Sequence, residues 1–141
     1  MILVSLLISS CGTSGPATVA ATDMKQTYII DRTAYFAAKL GVSVVGKLTN
    51  EKHTWGCEGQ PAGCYDFGWY QAGTAFYYIP AVQDAEMGYL SDAASHEVCH
   101  AKWYAHDSHH WCCMKNLGAT PTYPYAGVPG GVIECAPGAG L

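Results

Sequence analysis

The chain has 141 residues, half of them hydrophobic, with 13% charged and a net charge of −4. This is one domain's material, too apolar for a charge-rich disordered chain and too acidic for a nucleic-acid binder working through bulk basic charge. No stretch reaches the roughly 18 apolar residues of a membrane-spanning helix. Sixteen glycines and seven prolines predict a loop-rich body, held together by something besides hydrophobic burial.

At the N-terminus an apolar run, Ile2 to Ile8, is followed by Ser9, Ser10, Cys11 and Gly12. An aliphatic run and two small residues ahead of a cysteine resemble the end of a bacterial lipoprotein signal. That resemblance implies a signal over 1–11, a lipid on Cys11 as the one membrane link, and an exported chain. Residues 12–23 are small or polar and suit a flexible tether. Residues 24–141 then read as a single domain.

Six cysteines remain: Cys57, Cys64, Cys99, Cys112, Cys113 and Cys135. An even set in an oxidising compartment is read as disulfides. Cys57 and Cys64 enclose a turn-like segment and make the simplest pair, and Cys135 with Cys112 or Cys113 would pin the glycine-rich tail. No Cys-x-x-Cys occurs, which weighs against a thiolate zinc site.

Along the domain, Tyr28–Ile30 reads as a strand tip or a helix lead-in, and Asp31–Leu40 as a helix stopped by Gly41. Val42–Leu48 alternates as a strand, turned by Thr49-Asn50, and 51–68 is a loop. Thr74–Ile79 is an aromatic strand ended by Pro80. From Asp84 a helix runs past His100, with a break near Gly88. Beyond Met114 nothing periodic is left, so the tail is a coil lying on the surface or clamped to it. This order predicts a small α+β domain.

Five of the six histidines lie between positions 96 and 110, and His96-Glu97-Val98-Cys99-His100 spells H-E-x-x-H on the expected helix. Residues four apart stack on one helix face, so both imidazoles can reach one metal ion. Glu97 stands beside the first ligand, close enough to take a proton from a water that zinc has acidified. With this chain's own His and Glu content, a chance H-E-x-x-H has a probability of only about 1%.

His106 follows His100 by six residues and Met114 follows His106 by eight, as counted along the chain. With H-E-x-x-H, this spacing resembles the metzincin group of zinc peptidases, of the matrixin and archaemetzincin type. The resemblance covers Ser95 to Met114. It implies zinc on His96, His100 and His106, Glu97 as general base and Met114 beneath the metal. Trp103 stands where metzincins carry the glycine that lets the helix stop and the chain swing round. If the helix instead ran on toward Asp107, His106 would face away, and His110, or else His109 or Asp107, would return to the metal. The third ligand stays open between these.

Cys99, inside the motif, is expected to be buried or disulfide-bonded rather than a ligand. Trp103 and Trp111 read as core or pocket wall, and Tyr123 or Tyr125 as a phenol for an oxyanion. His53 is isolated and has no assigned role. By the same resemblance Thr74–Ile79 is the edge strand that pairs with an extended substrate. These readings converge on an exported, monomeric zinc metalloendopeptidase of zincin-like fold, with Zn2+ as cofactor, a peptide or protein as substrate and no nucleic-acid partner. The alternatives are a non-catalytic histidine-rich lipoprotein that binds zinc and a disulfide-stapled module with incidental histidines.

Overall fold

The computed structural model describes residues 15–57, 64–119 and 134–141. The signal-like residues and Cys11, and also Tyr123 and Tyr125, lie outside them. Helix α1, Met24–Leu40, starts at Asp23, whose carboxylate accepts the Gln26 amide at 2.9 Å, while the buried Gln26 side chain accepts the Thr22 amide at 2.9 Å. This reciprocal pairing satisfies amides that a helix start otherwise leaves open. The helix therefore begins at Met24 rather than Asp31, and Tyr28–Ile30 belongs to it. It ends as expected at Gly41, whose left-handed φ of 73° turns its N–H back to the Ala37 and Ala38 carbonyls.

Four strands form one mixed sheet: β1 (Thr18–Val19), β2 (Val45–Thr49), β3 (Gly68–Gln71) and β4 (Thr74–Tyr78), in the order β1-β2-β4-β3. β1 and β2 are antiparallel, β2 and β4 parallel, and β3 and β4 antiparallel. β1 falls within the segment expected to be a tether, so part of that segment belongs to the sheet. β3 was hidden in sequence at the end of the presumed loop. It joins β4 through Ala72-Gly73, whose φ values of 48° and 83° suit a two-residue hairpin turn. The fold is a small α+β domain, as the sequence predicts.

Tyr77, in the central strand β4, is fully buried and its hydroxyl lies 2.7 Å from that of Thr33. Since the Thr33 hydroxyl donates to the Ile29 carbonyl at 2.8 Å, it accepts from Tyr77, tying α1 to the sheet. Pro80 both ends β4 and sits in the first turn of helix α2, Ile79–Asp84. Helix α3, Met87–Cys99, follows, and α1 and α3 pack together over a core of Ile29, Phe36, Leu48, Tyr77, Leu90 and Val98. The interruption lies between α2 and α3, and Gly88 is inside α3. A further helix, α4, spans Ser108–Leu117 and is capped by Gly118 at φ 99°. It was missed in sequence because its histidine- and cysteine-rich stretch has weak helix propensity.

Disulfides do much of the stapling. Cys57 pairs with Cys64, Cys99 with Cys113 and Cys112 with Cys135. The Cys99–Cys113 bond joins α3 to α4 across 14 residues, a closure that stabilises by about 3 kcal/mol in the loop-entropy picture. The three bonds place the chain in an oxidising, export-type environment. Among the described residues no helix is long and apolar enough to cross a membrane.

The end of the chain is clamped onto α4. Asn116 donates to the carbonyls of Ala136 and Ala139 at 3.1 and 2.8 Å, and the Trp103 indole N–H donates to the Gly140 carbonyl at 2.7 Å. Gly140 has φ 80° and presses on the backbone of α4, where an added Cβ would collide with the Cys113 amide and approach the His109 carbonyl to 2.6 Å. Gly140→Ala is expected to destabilise the fold by about 2–4 kcal/mol through backbone overlap and left-handed strain. Calorimetry checks this; an unchanged melting temperature would contradict the clamp.

Candidate metal centre

His96 and His100 project from one face of α3, four residues apart. The helix does not run on. It winds down as Ala101 N–H bonds to the Val98 carbonyl and Trp103 N–H to the Cys99 carbonyl, at 3.0 and 2.9 Å. Ala72 is the one non-glycine residue with positive φ among the described residues, so the turn at Trp103 needs no left-handed backbone. The alternative in which the helix runs on toward Asp107 is thus corrected. Asp107 starts α4 instead, its carboxylate accepting the amides of His109 and His110 at 3.0 and 3.3 Å.

This turn brings His106 back to the helix face. The Nε2 atoms of His96, His100 and His106 form a triangle with sides of 3.2, 3.1 and 3.0 Å. A tetrahedral ion about 2.0–2.1 Å from each nitrogen sets its ligands about 3.3–3.4 Å apart, so the triangle is nearly closed around such an ion. His110 is fully buried and completes a group of four imidazoles whose ligand atoms lie within 4.8 Å of one another. This cluster is able to hold a metal ion.

The hydrogen-bond partners divide the four. His100 Nδ1 faces the Trp103 carbonyl at 3.2 Å, and His110 Nδ1 faces the same oxygen at 3.1 Å. A carbonyl only accepts, so both Nδ1 atoms carry protons. His110 Nε2 then bears a lone pair, and it faces His96 Nδ1 at 3.4 Å, which makes His96 the donor there. His96 and His100 therefore both aim unprotonated Nε2 atoms at their meeting point beside His106 Nε2, an arrangement that can receive a cation. Trp103 fixes His100 directly and His96 through His110, as outer-shell partners orient metal ligands elsewhere.

Burial lowers the pKa values of this group. His96 is held well below its ordinary range by burial, then by His110, His100 and His106. Burial and then His106 bring His100 to about 4, while burial and then His100 bring His110 to about 3. His106 is more exposed and is lowered by burial. Neutral imidazole is the metal-binding form.

Glu97 is buried, and its Oε2 finds no hydrogen-bond partner among the described residues. Burial, followed by the negative charge of Asp66, pushes its carboxyl up to about 8. An unpartnered buried oxygen in the group that lines the cleft with three converging Nε2 atoms fits a site built around a cation and its water. The four groups His96, Glu97, His100 and His106 line a cleft of about 750 Å³, which is also lined by His53, Trp55, Asp66 and all of β3.

Other expectations divide. His109 is turned away, stacked on Trp103 at 4.7 Å, and its Nδ1 lies 3.6 Å from Asp107, so neither joins the cluster. Cys99 is buried in a disulfide, as expected. Trp111 is buried and stacks on His106 at 5.7 Å. Met114 is buried in the core within α4, not in a turn. β4, expected as the substrate-pairing edge, lies between β2 and β3 and has no free edge; β3 is the terminal strand beside the cleft. Sequence reasoning also missed the Trp103 carbonyl, a backbone atom that no residue pattern reveals.

No protein-family model matches the chain, and no curated protein or solved structure is significantly similar to it.

The division of roles has a measurable consequence. His110→Leu, which cannot accept from His96, is expected to weaken zinc binding about 10–100-fold while keeping one ion per chain, and His110→Gln, which can accept, to recover much of the loss. Competition titration with a chelating dye measures this. Loss of the ion in His110→Leu as complete as in His106→Ala would make His110 a ligand instead.

Proposed function

We propose that the chain is an exported zinc-dependent peptidase. The observation that carries the reading is the convergence of His96, His100 and His106 at Nε2 separations of 3.0–3.2 Å, with the Glu97 carboxyl in the same cleft. Three neutral imidazoles that leave a coordination position free are a donor set for catalytic zinc. When bound, zinc would supply Lewis-acid polarisation of a carbonyl and acidify a water toward neutral pH.

The chain's own residues do the rest. Glu97 takes the proton from the attacking water and later gives it to the departing nitrogen. The open edge of β3 holds an extended substrate through main-chain hydrogen bonds. Burial raises the proton affinity of the Glu97 carboxylate and so its strength as a base. In this reading the H-E-x-x-H resemblance extends to function, Cys11 carries a lipid that tethers a monomer to a membrane surface, and peptides or proteins are the substrates.

One observation favours a second reading, a non-catalytic zinc-binding lipoprotein: a fourth imidazole stands within the same group. A sequestering site would close its coordination with His110 and ignore peptides.

Glu97→Gln keeps the shape of the side chain and removes the base. It is expected to retain one zinc per chain and to lose peptide hydrolysis by about 100-fold or more. Mass spectrometry of an unstructured peptide mixture checks this alongside metal analysis. Cleavage at the parent rate would overturn the mechanism.

A further inference from the structure

The cleft that holds the histidine cluster is also lined by a second constructed group. His53 Nδ1 lies 2.7 Å from Asp66 Oδ2, and the Asp66 amide donates to the His53 carbonyl at 2.8 Å. The His53 ring stacks on Trp69 at 4.4 Å and 11°, and Trp69 in turn stacks on Phe76 at 5.2 Å. Gly56 N–H points at both Asp66 carboxylate oxygens, at 3.3 and 3.4 Å, and a Cβ there would come within 2.8 Å of Oδ1. The Cys57–Cys64 disulfide closes the loop that begins at this turn.

Each of these contacts fixes the ring. One face is taken by Trp69 and Nδ1 by Asp66, while Nε2 has no partner among the described residues. His53 and Asp66 both line the cleft that holds Glu97 and the three converging histidines. Asp66 is also near enough for its charge to act on Glu97. With the Asp66 carboxylate accepting at Nδ1, the doubly protonated ring presents its second N–H at Nε2.

We propose that His53, pinned by Asp66, is a second catalytic side chain of this cleft, donating its Nε2–H to the substrate carbonyl oxygen as that oxygen gains negative charge. The proposal rests on the peptidase reading. The proton stays on His53 throughout. Water's oxygen bonds to the carbonyl carbon, its proton passes to Glu97, and the C–N bond breaks as that proton reaches the leaving nitrogen. A donor aimed at a developing oxyanion belongs among the larger contributions to acyl-transfer rates. Asp66 is a positioning residue here, acting through His53.

The test uses the zinc-loaded chain, its His53→Gln variant and its Asp66→Asn variant, with circular dichroism and metal analysis on each. Two readouts are taken: peptide hydrolysis, and calorimetric affinity for a phosphinic peptide, which presents a tetrahedral oxyanion, against a simple hydroxamate, which does not. The expected result for His53→Gln is kcat down about 100-fold with KM and zinc content little changed. Phosphinic-peptide affinity should fall at least tenfold and hydroxamate affinity should stay as in the parent. Asp66→Asn should show the same pattern, weaker. Equal kcat and equal phosphinic affinity in parent and His53→Gln would overturn the proposal. If the parent cleaves nothing but His53→Gln still loses phosphinic affinity selectively, the peptidase reading fails while the oxyanion contact stands.

Discussion

Three imidazole Nε2 atoms are held at one point, those of His96 and His100 with their lone pairs facing inward, and the rest of the domain is arranged to tolerate that. Two lone pairs 3.2 Å apart repel unless a cation or a donated proton lies between them. The protein therefore needs rigid supports. α3 supplies two of the three by helical spacing alone. The third arrives because α3 winds down at Trp103 and Asp107 starts α4 at once, with the Cys99–Cys113 bond holding the two helices together.

Trp103 is the hinge between fold and site. Its indole N–H is held by the Gly140 carbonyl, and its own carbonyl receives the imidazole N–H groups of His100 and His110. The tail, tied to α4 by Cys112–Cys135 and by Asn116, thus reaches the clustered histidines through a single residue. Buried polar groups of this kind specify a geometry only when each finds its partner, and here the chain of donors and acceptors runs without a gap from Gly140 to His96.

What was legible in the sequence follows from how local its physical cause is. His96, Glu97 and His100 were legible because a spacing of four residues fixes a shared helix face. The end of α1 was legible because Gly41 takes a backbone conformation costly for other residues. The Cys57–Cys64 bond was legible from its short turn-like loop and Cys135 was narrowed to Cys112 or Cys113, while the partner of Cys99 was not, because the α3–α4 packing that brings it to Cys113 leaves no local signal. The third histidine was not decidable, since its placement depends on a turn made without glycine and on contacts with residues far along the chain. α4 escaped notice because disulfides and the clamped tail hold a segment of weak propensity. β3 escaped because four residues beside a loop give too little alternation to read. The aromatic strand was recognised, but its place in the sheet was not: only strand order shows that β3, rather than β4, is a terminal strand among the described residues.

The most direct measurement is diffraction from crystals of the purified protein across the zinc absorption edge, with the refined metal–ligand distances. The account predicts one anomalous peak per chain, within about 2.0–2.1 Å of the Nε2 atoms of His96, His100 and His106, with His110 outside bonding distance. A map without such a peak, or one in which the three rings point apart, would contradict it.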